Sequence, residues 1–285
     1  MNFGEQSRRE FVQTGTGLLA AAYVVGCTSK NSTDAKKAIP VGVQLYSVRR
    51  ECEKDLPGTL SAIAEMGYDG VEFAGYYGYE ASALKKLLDD NGLKCCGSHT
   101  GLDTLSEETL MSTIEFNKIL GNKYLIVPWL GEEMRGSEEK WIETAKLFTA
   151  LSEKLKPHGM KVGYHNHDFE FKPIDGKVPW DIFFSNTSED VIMQIDTGNM
   201  MGGGGDPVEY LKKYPNRATT IHLKAYSATN EKAILGEGDV NWAEIFELCE
   251  TTGGTEWYII EEEKDVYPPV QCIDLCLQNY KKLRA

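Results

Sequence analysis

Short runs in which apolar and polar side chains alternate with period two are separated by longer segments whose apolar positions recur every three to four residues. The first run is Val41-Gly42-Val43-Gln44-Leu45-Tyr46, and Leu60, Ile63 and Ala64 mark an amphipathic helix that ends near Gly67. Residues 70–74, 93–97 and 124–127 predict the next three strands. Between them, a helix around Leu84, Leu87 and Leu88 stops at Asn91-Gly92, and another begins at Ser106 on the strength of a serine cap alone. Ser137 opens a long helix through Trp141, Ala145, Phe148 and Leu155, which Pro157-His158-Gly159 terminates. Four further runs, at 162–165, 191–196, 220–222 and 258–261, complete the strand set. Helices at 179–184, 207–214, 242–249 and 269–280 follow them, three opened by Pro in the first turn.

Strand and helix alternating eight times predict an α/β fold, a (β/α)8 TIM barrel. An open doubly wound sheet is the runner-up, but no Gly-x-Gly-x-x-Gly follows the first strand. The glycine run 202–205 lacks the Lys-Ser/Thr of a phosphate loop and reads as a mobile rim loop.

The chain before residue 40 has a different character. Ser7-Arg8-Arg9-Glu10-Phe11-Val12 carries the paired arginines of a twin-arginine export signal, and 17–25 is weakly apolar and too short to span a bilayer. Val24-Val25-Gly26-Cys27 resembles a lipobox, with Cys27 as the lipidated first residue after cleavage. The expected domains are therefore a twin-arginine lipoprotein signal at 1–26, a flexible Ser/Thr/Lys/Asn-rich tether at 27–39 and one barrel at 40–285. The expected location is the periplasm or cell envelope, with membrane contact only through the lipid at Cys27. The oligomeric state is not encoded in any feature read here.

Composition narrows the partners. With 43 Asp and Glu against 30 Lys and Arg, the net charge is −13 and there is no basic patch, so nucleic acid is excluded as a partner. Beyond Cys27, the cysteines at 52, 95, 96, 249, 272 and 276 fall in no metal-finger spacing and read as buried free thiols.

The last four strands each end in a polar residue able to bind a metal: His165, Asp196, His222 and Glu261, separated by 31, 26 and 39 residues. Each separation is about one strand plus one helix, so a closed barrel brings all four to one rim. Two imidazoles and two carboxylates make a mixed nitrogen and oxygen site for a divalent cation. Mn²⁺ is the first expectation, and Co²⁺, Mg²⁺ or Zn²⁺ are also accommodated.

The motifs Gly42-Val43-Gln44-Leu45-Tyr46-Ser47-Val48-Arg49, Gly70-Val71-Glu72-Phe73, Gly163-Tyr164-His165-Asn166-His167-Asp168-Phe169-Glu170-Phe171, Ile195-Asp196-Thr197-Gly198-Asn199 and Ile221-His222-Leu223-Lys224 together resemble the sugar phosphate isomerase/epimerase family with its xylose-isomerase-like barrel. The resemblance covers residues 40–285 and implies a metal-dependent enzyme on a small-molecule carbohydrate, with ligands at His165, Asp196, His222 and Glu261. Two positions depart from the family pattern: His165 stands where many members have Glu, and Ala225 where many have Asp after the strand-seven Lys. Facing carboxylates, which two-sided proton transfer needs, are thereby reduced to one unless Glu170, His167 or Glu72 substitutes.

Removing a proton beside a carbonyl leaves an enediolate-like anion that a divalent cation stabilises. Glu261 is the expected general base, with His167 or Glu170 as the returning acid. Tyr46, Glu72, His99 and Trp129 stand at or just past other strand ends and are expected, with Lys224, to contact substrate. The leading reading is an isomerase or epimerase on a non-phosphorylated sugar or sugar derivative. A metal-dependent lyase or dehydratase on a keto-sugar or keto-glycoside uses the same chemistry, and a barrel that binds carbohydrate without turning it over is the third reading.

Overall fold

The structure, a computed structural model, describes residues 38–285; the expected signal at 1–26, Cys27 and nearly all of the tether lie outside the described residues. Eight parallel strands form one sheet: β1 (Val41–Gln44), β2 (Gly70–Ala74), β3 (Lys94–His99), β4 (Tyr124–Val127), β5 (Lys161–His165), β6 (Ile192–Gln194), β7 (Thr220–Leu223) and β8 (Trp257–Ile260). Their order is β6-β5-β4-β3-β2-β1-β8-β7. The two ends meet where Asp196 bridges His222 and the His222 N–H donates to the Ile195 carbonyl at 2.7 Å, so the sheet closes into the expected barrel.

Helices wrap the outside: α1 (Arg49–Met66), α2 (Ala81–Asp90), α3 (Leu110–Leu120), α4 (Glu132–Arg135), α5 (Glu138–Leu155), α6 (Pro179–Ser185), α7 (Thr197–Gly202), α8 (Pro207–Lys213), α9 (Trp242–Leu248) and α10 (Pro269–Leu283). Three boundaries differ from the sequence reading. The serine at 106 spends its hydroxyl on Thr109 Oγ1 at 2.9 Å, and α3 starts only at Leu110. β3 runs on to His99, and a bulge opposite Val71 and Glu72 takes up the extra residue. β6 stops at Gln194, and Asp196 becomes the N-cap of α7. The glycine run, expected to be a free rim loop, is seated against the β5 loop: a Cβ at Gly203 would lie 2.3 Å from the Asp168 carbonyl.

Period two sorts each strand into an outer and an inner face. Val162 and Tyr164 of β5, Ile221 and Leu223 of β7, and Tyr258 and Ile260 of β8 join the large core between sheet and helices. The inner faces supply a separate apolar plug of Cys96, Tyr124, Ile126, Ile192, Trp257 and Ile259. Two residues further along the same inner faces stand Gln194 above Ile192 and Glu261 above Ile259, so the barrel interior changes from apolar to polar within one pleat. The six described cysteines are buried and free, as expected.

The plug is packed without slack at Gly163, where a Cβ would lie 2.6 Å from Ile126 Cδ1 and 2.7 Å from Ile192 Cβ. Gly163→Ala should therefore cost ~1–3 kcal/mol through overpacking. Urea or thermal unfolding checks this, and a wild-type midpoint would contradict the interior packing described.

Candidate metal centre

The rim above the plug gathers four side chains from β5 to β8. His165 ends β5 and His222 is the third residue of β7, while Asp196 and Glu261 directly follow the last apolar residues of their strand runs. One ligand atom from each lies within 4.8 Å of every other, and all four residues are buried. Atoms facing one another across a divalent ion with bonds of ~2.0–2.2 Å stand ~4 Å apart. Small closing movements therefore suffice.

Asp196 gives the clearest sign that the set is built for a cation. Its Oδ1 accepts the Asn199 N–H at 2.7 Å, capping α7, whereas its Oδ2 is buried with no hydrogen-bond partner. A buried carboxylate oxygen left unpaired is costly unless something positive completes it. Lys224 Nζ, 3.8 Å away, is too far to bond to it and is engaged with Glu263 Oε1 at 2.5 Å. Burial pushes the Asp196 carboxyl up to about 7, with Glu261 adding to the rise and Lys224 opposing it. Burial also holds His165 well below the usual imidazole range, the neighbouring His222 and His99 rings acting in the same direction.

His222 is held from both sides. Nδ1 lies 2.8 Å from Glu261 Oε2, and Nε2 lies 2.6 Å from Glu72 Oε2. Burial alone would discharge this ring, but Glu72 and Glu261 outweigh it and push the group up to about 10. Both ring nitrogens therefore carry protons in the metal-free protein, and an ion bound through Nδ1 would have to displace the proton there. His165 needs no such exchange, because Gln194 Oε1 occupies its Nδ1 at 3.0 Å and leaves Nε2 free.

The other expected site residues divide. His167 lies on the rim, its ring 5.3 Å from that of His165 and 5.2 Å, edge-on, from that of Trp129. Its Nδ1 is buried without a partner. Trp129 is 53% exposed, and Arg135 stacks over the adjoining Phe169 at 4.0 Å. His99 stacks parallel to His222 at 5.3 Å and points Nε2 at Gln194 Oε1, 3.0 Å away. Lys224 is buried beside Asp196 and Glu261, which raise its affinity for a proton against the opposing effect of burial. Tyr46 sits on the turn after β1 with the Arg49 guanidinium 4.1 Å over its ring.

Two of the expected residues are engaged away from the rim. Glu170, expected as a returning acid, accepts the Tyr164 hydroxyl at 2.6 Å and the His167 N–H at 2.9 Å. Tyr164 points outward among Trp141, Phe148, Trp180 and Phe183, so Glu170 belongs to the sheet–helix layer and braces the β5 loop. Glu72, expected to contact substrate, is completely buried, and both its oxygens are taken by Gln44, Gln194 and His222. It lies beneath the clustered residues and holds His222 directly. Gln44 and Gln194 went unnoticed in the sequence, although each is a polar residue on the inner face of an apolar strand.

A family model described as xylose isomerase-like TIM barrel matches residues 60–275. An inosose dehydratase of Clostridium botulinum is 25% identical over 251 residues, covering 75% of this chain and 84% of that protein. A rhizopine catabolism protein, MocC, of Rhizobium meliloti is 26% identical over 242 residues, covering 72% and 74%. The crystal structure of a sugar phosphate isomerase/epimerase from Parabacteroides distasonis superposes with a TM-score of 0.73 at 25% identity, covering 87% of this chain and 99% of that one.

The upward shifts of Asp196, to about 7, and His222, to about 10, both mean that protons occupy the site when no ion does. Mn²⁺ should accordingly release more than one proton per ion at neutral pH, and its affinity should rise with pH through about 7 and on toward about 10. Calorimetry in two buffers of different ionisation enthalpy measures both. Binding that releases no proton and ignores pH would remove these two residues from the site.

Proposed function

The chain belongs to the family of xylose isomerase-like TIM barrels, and on that premise we propose that it is a divalent-metal-dependent lyase of the dehydratase type. Its substrate is a non-phosphorylated keto-sugar or keto-glycoside. A cation held by His165, Asp196, His222 and Glu261 supplies charge stabilisation for the oxyanion that forms when a proton leaves the carbon beside a carbonyl.

The observation that carries the reading is the solitary position of His167. Epimerisation needs one proton carrier on each face of the reacting carbon. Here Glu170 is turned into the outer layer and Glu72 lies under the ligands, while Glu261 is tied to His222. His167 remains on the rim, its ring only partly buried and set beside Trp129. Elimination is served by one such group. The His167 imidazole takes the proton from the carbon beside the carbonyl through one ring nitrogen; the electron pair left there forms a carbon–carbon double bond as the bond to the β-oxygen breaks. The departing hydroxyl or alkoxyl then recovers the proton from the same nitrogen. Trp129, edge-on to His167 and half exposed, offers an apolar wall for the sugar ring.

The dehydratase relative at 25% identity supports this reading. Isomerase or epimerase chemistry is the second reading, supported by Glu261 at the ion and by the neighbour from Parabacteroides distasonis. An exported, lipid-anchored enzyme, as residues 1–27 suggest, would meet glycosides rather than sugar phosphates.

Incubation of Mn²⁺-loaded protein with a panel of keto-glycosides and free ketoses in D₂O separates the two. Elimination should appear as a released alcohol or water and an unsaturated product, whereas a recovered, deuterated epimer with no leaving group lost would overturn it. His167→Ala should lower kcat by ~10²–10⁴-fold, and Mn²⁺ affinity should stay near wild type.

A further inference from the structure

The polar network beneath the ligands can be read outward from the backbone, and it has one consistent arrangement of donors and acceptors. The Tyr46 N–H, which can only donate, points at Gln44 Oε1 at 3.0 Å and so fixes the Gln44 amide. Gln44 Nε2 therefore faces Glu72 Oε2, at 2.7 Å. Gln194 Nε2 donates to the other Glu72 oxygen at 2.8 Å and to Thr220 Oγ1 at 2.9 Å. That leaves Gln194 Oε1 as an acceptor facing two imidazole nitrogens, His165 Nδ1 and His99 Nε2, each 3.0 Å away.

We infer that Gln194 is the positioning residue of the metal centre: by accepting from both rings it places the His165 proton on Nδ1, so that Nε2 presents its lone pair to the ion, and Glu72 does the same for His222 through Nε2. Neither residue touches the ion. The strand register delivers them: His165 pairs with Gln194 across β5 and β6, and Gln44 with Glu72 across β1 and β2. Space for the carboxylate is reserved by Gly97, where a Cβ would lie 2.4 Å from Glu72 Oε1.

The arrangement is tight enough to be reversed in a controlled way. Glu72→Gln alone sets a second amide against donors on both sides. Gln194→Glu alone sets two carboxylates face to face. The double exchange, Glu72→Gln with Gln194→Glu, restores every pairing: the new amide donates toward position 194 and accepts from Gln44 and His222, and the new carboxylate accepts from His165, His99 and Thr220. Removing groups that orient metal-binding histidines typically weakens metal affinity by ~10–100-fold. Each single exchange should do so for Mn²⁺, and the double exchange should recover most of the loss, with thermal unfolding confirming that all three variants fold.

This inference presupposes the metal-centre reading, and one readout separates the two. In the metal-free protein, ¹⁵N-detected spectra should show the His165 ring protonated at Nδ1 and bare at Nε2, and Gln194→Leu should abolish that preference. Bare Nδ1 in the wild type, or single exchanges that bind Mn²⁺ as tightly as wild type, would overturn the role of Gln194. Correct His165 protonation together with a wild type that fails to bind Mn²⁺ would uphold that role and refute the metal centre.

Discussion

The Glu72 carboxylate, sealed inside the barrel, is the interaction on which the site depends. It receives hydrogen bonds from Gln44, Gln194 and His222, and through the Gln194 amide and the His222 ring it is linked to His165, His99 and Glu261 as well. Burial would raise such a group, but the His99 and His222 rings together with the amide bonds bring it below the ordinary carboxylate value. A buried anion persists only where partners of this kind surround it. The same partners then have no freedom to turn.

Placing this polar layer in a barrel is a matter of register. The apolar plug of Ile126, Ile192 and Ile259 fills the level below, and one pleat higher the inner faces switch to Gln194 and Glu261. Parallel strands, buried on both faces, are normally continuous apolar runs. A glutamine or glutamate in such a run is expensive in isolation and is compensated here only because several strands present their polar residues at one height.

Much of this was legible in the sequence. The alternation of period-two and period-3.6 segments gave the barrel, and polar residues terminating four successive strands gave the cluster of His165, Asp196, His222 and Glu261. The supporting network was harder to see, because its meaning lies in pairing across strands: nothing local distinguishes Gln194 from a tolerated polar residue. The partners of Glu170 were hidden for a related reason. It follows the His-Asn-His segment closely in the chain, yet the short turn at 169–171 folds it behind the strand to Tyr164. Ser106 looked like a helix cap by type and found a hydroxyl partner instead.

The seam of the barrel has one more implication. β6 and β7 are joined through Asp196 and His222, where the ladder is reduced to a single bridge, and these are two of the four clustered side chains that could hold an ion. A cation seated there would act as a rivet across the weakest join in the cylinder. Loading would then be coupled to mechanical closure of the fold, and chelation would slacken the wall as well as silence the chemistry.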